Sequence, residues 1–252
     1  MFFLPKDSPE LVQNGPYAPY SAAHIIIILF AFGLIWLLLR IVRQKSSGSR
    51  LVWVAAVYGS LVLLNILRVF WEISTGTFDV KTSLPLELCG IQMFVLPLAL
   101  FSWGKIQTYM REFAFSFGTL GFFFSLLMPF TTMYEYPVWH FRTMQSIMYH
   151  TLLGFCCLML PHLNYAPDIS NIRKAYAVLI AVTLLTASLN LLIGSNYMYT
   201  SALPLPSDVI AWPYYLPLLV SFALVTARIP YYVYHFFHSK SGGAKTTFGL
   251  NS

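Results

Sequence analysis

Charge is what this sequence has least of. Asp, Glu, Lys and Arg make up 10% of its 252 residues and hydrophobic side chains 58%, whereas soluble domains carry about a quarter charged residues. That balance excludes an ordinary soluble domain. Acids are the scarcer sign, with nine Asp and Glu against fifteen Lys and Arg, for a net charge of +6. The basic excess is not clustered with exposed aromatics, so no nucleic-acid partner is expected, and loop bias across a bilayer is the plainer cause. Cysteine is scarce as well. Cys89, Cys156 and Cys157 make no disulfide framework, because two are adjacent and all three fall in apolar stretches. Metal motifs are missing. His24, His140, His150 and His162 show no HxxxH or HExxH spacing, so no metal is expected. The final apolar stretch lacks a lysine for a retinal Schiff base, and no other cofactor is implied. No internal repeat is visible, which argues against an inverted-repeat transporter. The opening MFFLPKDSPELVQNG contains Asp7 and Glu10 and lacks a basic n-region, so it does not read as a cleaved signal.

What the chain does have is apolar length. Seven stretches are long enough to cross a bilayer, which takes roughly 20 residues each: 24–42, 51–71, 86–103, 113–130, 141–160, 175–193 and 212–237. The breaks between them are polar, basic or proline-rich, among them RQKSSGSR (43–50), STGTFDVKTSLP (74–85) and PHLNYAPDISNIRK (161–174). The predicted fold class is therefore all-α, a polytopic seven-transmembrane-helix bundle. It forms a single transmembrane domain over 1–238, followed by a disordered cytoplasmic tail, 239–252. Orientation follows from the basic residues. Arg40, Arg43, Lys45, Arg50, Lys105, Arg111, Arg173, Lys174, Lys240 and Lys245 fall on one side, and Lys6, Lys81 and Arg142 on the other. That bias places the N-terminus outside and the C-terminus in the cytoplasm. Arg68 and Arg228 are left within spans, the latter near enough to the inner edge to snorkel.

Hydrocarbon solvates no charge, so an ionisable residue kept inside a span must be paired, wetted or useful. Arg68, Glu72, Glu87, Cys89, Gln92, Gln145, His150 and Asn190 crowd toward the outer side. Helical spacing groups Asn65, Arg68 and Glu72 on one face. It does the same for Thr183, Thr186 and Asn190, and for Thr143, Ser146 and His150. Interhelical hydrogen bonding explains the Ser and Thr positions. Arg68 fits either an ion pair with Glu72 or Glu87, or an anchor for an anionic head group, which guanidinium grips bidentately. Cys89 and His150 lie about 5 Å and 9 Å into their spans at 1.5 Å per residue, close enough to meet if those helices are neighbours. A thiol beside a histidine base becomes a nucleophile, and a position in the first turn after Pro85 would favour the thiolate further. Gln92 shares the face of Cys89 and could hold an oxyanion, whereas Glu87 lies about 200° around the helix from it. The plainer alternative makes Cys89 a small hydrophobe and His150 a hydrogen-bonded core residue. Cys156 and Cys157, without polar company, read as packing.

Several segments carry a resemblance. LPLELCG (84–90) resembles the LPL-x-LC signature of the YwaF family of bacterial integral membrane proteins. PYSAAHIIII (19–28), YPVWHFRTMQSIMYHTLLGF (136–155), NLLIGSNYMYTSALP (190–204) and WPYYLP (212–217) are similar to that family's first span, fifth span and closing segment. The family often has a histidine where this chain has Glu87. It is in turn distantly similar to the animal transmembrane protein 164, an acyltransferase that moves fatty acyl chains between phospholipids. The resemblance implies Cys89 as the acyl-accepting nucleophile and His150 as its base. It implies pocket roles for His24, Asn190 and Asn196, a location in the bacterial inner membrane, and membrane phospholipid as substrate. Arg68, Glu72 and Gln92 complete the expected substrate-binding set. The leading expectation is a lipid acyltransferase or ester hydrolase. A non-catalytic transporter or binding protein for a small amphiphile, and a structural or sensory membrane protein, stand beside it.

Overall fold

The computed structural model describes residues 2–5, 8–14, 20–128, 136–202 and 214–242. Among these there is no strand, and five helical stretches are long and apolar enough to cross a membrane. The helices are α1 (Pro9–Asn14), α2 (Ala22–Val42), α3 (Ser47–Ser74), α4 (Gln92–Phe101), α5 (Gly104–Phe113), α6 (Thr119–Leu127), α7 (Phe141–Met159), α8 (Ile172–Ile193), α9 (Tyr215–Thr226) and α10 (Ile229–Gly242).

The helices are apolar on the outside, as lipid requires. Only His24, Ala31, Ile35 and Val42 of α2 are buried, one stripe at spacings of seven and four. Ile25, Ile26, Leu29, Phe30, Trp36, Leu37 and Ile41 are exposed, which is stable only in hydrocarbon. In α3 the buried positions include Asn65, Arg68 and Glu72, while Leu63, Ile66, Leu67, Phe70 and Ile73 are exposed. The polar stripe thus points inward, as its spacing predicts. α7 is the central helix: twelve of its nineteen residues are buried, and it packs on α2, α3 and α6.

Three expected spans differ from the helices found. Helix in the third span, expected over 86–103, begins only at Gln92. Gly90 lies directly against the Pro85 backbone, where a Cβ would come within 2.7 Å of the Pro85 carbonyl carbon. The chain therefore folds back on itself between Pro85 and Gly90 instead of starting a helix. Helix in the fourth span, expected over 113–130, starts early, at Gly104, whose positive φ of 64° turns the chain out of α4. It then passes through a π-helical turn, Ala114–Gly118, into α6. The seventh is two helices broken at Ala227 and Arg228, just before Pro230, which has no N–H to donate. The tail was expected to begin at 239, yet the backbone stays helical to Gly242. Residues 243–252, Lys6, most of the 130–140 loop, residues 203–213 and the Trp212 end of the seventh span lie outside the described residues.

The N-terminal segment is tied to the bundle. Trp71 Nε1 donates to Phe3 O (2.9 Å), Phe141 N to Phe2 O (2.9 Å) and His140 Nε2 to Leu4 O (2.9 Å). His140 Nδ1 accepts from Arg142 N at 3.2 Å, so the two bonds together require the neutral imidazole. Burial, and to a lesser extent the Arg142 charge, hold its pKa below the ordinary histidine value. The folded state therefore binds fewer protons than the unfolded one. The stabilisation is complete above about pH 6.5 and is lost as the pH falls from there toward the depressed folded value. We expect the protection factor of the Phe141 amide, which is bonded to Phe2, to fall on acidification through this window, once the intrinsic pH dependence of exchange is divided out. In His140→Gln that fall should be absent, and an unchanged profile in the variant would assign the effect elsewhere.

Candidate functional site

A cavity of about 760 Å³ opens among α3, α6, α7, the 79–90 loop and the 194–199 strap. The structure brings Cys89 and His150 to its walls together with Arg68 and Asn196.

Cys89 sits in the turn ahead of α4, not in its first helical turn. Its carbonyl accepts the Gln92 N–H (3.2 Å) and the Tyr149 hydroxyl (3.1 Å). The backbone of Cys89 thus serves the helix start, and thiolate stabilisation by a helix N-terminus does not follow from this geometry. Its sulfur lies 3.2 Å from Ser125 Oγ. It also rests against Gly121, where a Cβ would come within 3.3 Å of Sγ.

His150 is oriented by its own helix. Nδ1 is 2.8 Å from Ser146 O, with the Ser146 hydroxyl at 3.4 Å. A carbonyl accepts only, so the proton sits on Nδ1 and the Nε2 lone pair is left as the basic position. Neighbouring Tyr149 stands edge-on to the imidazole.

A network of charge forms one wall. Arg68 donates from Nε to Asn65 Oδ1 (2.9 Å), from Nη1 to Glu72 (3.2 Å) and from Nη2 to Ser83 O (2.5 Å). Glu72 also pairs with Arg142 at 3.4 Å, and Arg142 donates to Gln145 Oε1 (3.1 Å). Glu72 does not itself line the cavity. Glu87 does, although helical geometry would have set it away from Cys89. No helix runs there, and its Oε2 accepts the Met198 N–H at 3.1 Å.

The strap is fastened from below by Asn190. Its Oδ1 accepts Tyr197 N (3.0 Å) and Ser195 Oγ (2.5 Å), while its Nδ2 donates to Tyr197 O and Thr200 Oγ1 (both 2.8 Å). Tyr197 OH then bridges to the opposite loop, donating to Val80 O (2.7 Å) and accepting from Leu84 N (2.8 Å). These tethers hold Met198 and Tyr199 at φ 56° and 54°, a strained region for side-chain-bearing residues. Asn190 therefore shapes the wall without lining the cavity.

Two more of the expected pocket residues, like Glu72 and Asn190, do not line the cavity. His24 is fully buried between α2 and α6, with Nε2 3.0 Å from Leu126 O and Nδ1 accepting from Tyr20 N. Gln92 is fully buried against Gly118, and its Oε1 has no hydrogen-bond partner among the described residues. Asn196 lines the cavity, but its Oδ1 is occupied by the N–H groups of Ser201 and Ala202. Cys156 and Cys157 are fully buried packing residues. Among the described residues no three His, Cys, Asp or Glu side chains gather to hold a metal ion. The cavity residues outside the expected set include Lys81, Ser125, Arg142 and Tyr149. Gly118, Gly121 and Ser125, at i, i+3 and i+7 in a Phe- and Leu-rich helix, were the readable signal.

A family model described as the TMEM164 family matches residues 19–231, and so spans the cavity and every helix that lines it. The chain belongs to the TMEM164 family. It is accordingly a membrane protein, and the likeness to the YwaF family noted above is compatible with TMEM164 membership. No curated protein and no solved structure matches the chain.

Proposed function

We propose that this member of the TMEM164 family is a lipid acyltransferase or ester hydrolase that works through a thioester at Cys89. One observation carries the reading. Cys89 shares a 760 Å³ cavity with a histidine whose Nδ1 is committed to Ser146 O, leaving Nε2 as the base. In the first half-reaction Cys89 Sγ gives its proton to His150 Nε2 and attacks the ester carbonyl carbon of a phospholipid. The C–O bond breaks, the departing alkoxide takes the proton back from His150, and the acyl group stays on sulfur. In the second, an acceptor alcohol or water gives its proton to His150 and attacks the thioester. The C–S bond breaks and the thiolate recovers that proton. Arg68, Lys81 and Arg142 put positive charge in the cavity wall, where a head-group phosphate would lie.

The α4 and α5–α6 stretches complete seven spans with the five long ones. The N-terminus lies outside, so the cavity opens outward from a bacterial inner membrane. This orientation rests on the basic residues gathered in the opposite loops. With Cys89 replaced by alanine, an impermeant thiol reagent on intact cells should label an engineered Val80→Cys and spare Ser47→Cys. The reverse pattern would invert the protein.

The reading is tested by incubating the purified protein with phospholipid and mapping Cys89 by mass spectrometry. An acyl adduct on Cys89 that decays on adding an acceptor alcohol is expected. Neither adduct nor lipid turnover in a preparation with native membrane lipids would favour a non-covalent binder of amphiphiles.

A further inference from the structure

Five hydroxyl groups on the helices of this protein bond back to their own helix, and Ser125 does not. Ser60, Thr108, Thr151, Ser188 and Thr226 each donate to the carbonyl four residues back, at 2.7–3.2 Å. That is the ordinary way to satisfy a hydroxyl in a helix surrounded by lipid. Ser125, in the last turns of α6, has the Gly121 carbonyl available in the same way but does not use it. Its one hydrogen-bond partner among the described residues is the Cys89 sulfur, at 3.2 Å. The side chain is buried yet touches the cavity. The backbone explains how the contact arises: Gly121, one turn earlier, has no side chain, so the Cys89 Cα and N lie 3.9 Å from where its Cβ would be. The sulfur is thereby seated on the helix face directly beside Ser125.

We propose that Ser125 is a positioning residue for Cys89, its hydroxyl accepting the S–H of the thiol and turning to donate O–H to the sulfur once the proton has left. A serine hydroxyl rotates and can do both, because it carries one donor and two acceptor lone pairs. A donor aimed at the thiolate stabilises that form against the thiol. The contact also fixes the sulfur's rotamer, so that Sγ is held at the cavity wall instead of turning into the Phe-rich packing of α6. Glu87, Tyr149, His150 and Tyr199 share the cavity with the sulfur. None of them makes a hydrogen bond to Sγ among the described residues, so this service falls to Ser125. The inference deepens the thioester reading and assigns the thiol a partner in addition to its base.

The test reads the thiol without any lipid. The full-length protein in nanodiscs is treated with a small neutral alkylating agent across a range of pH, and Cys89 modification is followed by peptide mass mapping. In Ser125→Ala the midpoint of the pH profile should move up by about one pH unit, with alkylation near neutrality about tenfold slower. Ser125→Thr, which keeps the hydroxyl, should stay close to wild type. Ser125→Val, which has the shape of threonine without the hydroxyl, should shift as alanine does, and it decides the matter if the alanine variant does not fold. A folded alanine or valine variant whose profile overlays wild type would overturn the proposal, because a merely structural serine would not move that profile. If the shift appears while no acyl transfer is ever found, the positioning role stands and the enzymatic reading falls. If transfer is found without the shift, the reverse holds.

Discussion

Cys89→Ser is expected to give a folded protein whose lipid turnover has fallen by on the order of 10³-fold, about 4 kcal/mol of transition-state stabilisation. The substitution barely disturbs the site. Serine is smaller than cysteine, Gly121 leaves room beside it, and the Ser125 hydroxyl, 3.2 Å from the present sulfur, would find another oxygen to bond. What is lost is nucleophilicity. An alkoxide is far harder to generate than a thiolate, and a single histidine base does not recover the difference. The thiol readings diverge here. A cavity that only binds or passes an amphiphile has no use for sulfur, and its serine variant should behave as wild type. Turnover of a labelled phospholipid in proteoliposomes, normalised to folded protein, makes the measurement. A serine variant within twofold of wild type would rule out the thioester. His150→Gln is the companion: it keeps a polar side chain beside Ser146 and removes the base, with a loss of about 10²–10⁴-fold expected.

How much of this was legible depended on whether a residue sits in regular helix. Apolar length and period gave α2, α3, α7 and α8 nearly as they are, and the inward stripe of Asn65, Arg68 and Glu72 needed only a 3.6-residue repeat. The third span misled for a local reason. Pro85 ahead of an apolar run predicts a helix start, whereas the close approach of Gly90 to it makes a turn six residues long. That turn takes Cys89 out of the first helical turn and brings Glu87 to the same cavity wall. His24 and Gln92 point into the protein as their polarity suggests, but which interior contact they meet depends on helix rotation and neighbours, which no single-chain pattern encodes. Cys89 and His150 did reach a common cavity, because α7 packs on α6 and the Tyr149 hydroxyl holds the Cys89 carbonyl. One serine among Phe and Leu reads as tolerated packing until its partner is known, which hides Ser125.

Arg68→Met is expected to lower stability by about 3 kcal/mol, more than any head-group affinity it removes. All three guanidinium nitrogens already have protein partners: Asn65, Glu72 and the Ser83 carbonyl. The side chain thus joins α3 to the loop that carries the cavity mouth. Removing it leaves the Ser83 carbonyl and Asn65 Oδ1 without their donor and leaves Glu72 with Arg142 alone, at 3.4 Å. Breaking one partner of a buried pair typically costs about 3–5 kcal/mol, and the remaining arginine places this case at the lower end. The ion pair itself is a poor source of net stability, because desolvation offsets its attraction. Adding Glu72→Gln to Arg68→Met should therefore recover part of the loss, an interaction energy of about 1 kcal/mol or more between residues in contact. Denaturation of the single and double variants in matched lipid measures this directly. The same proteins, assayed on phosphatidyl and uncharged glycerol esters, separate a fastener from a ligand. As a fastener, Arg68 leaves the ratio of the two rates unchanged in the folded double variant. A selective loss of the phosphate-bearing substrate would instead make Arg68 the group that grips it, and its bonds to Asn65 and Ser83 the means of aiming it.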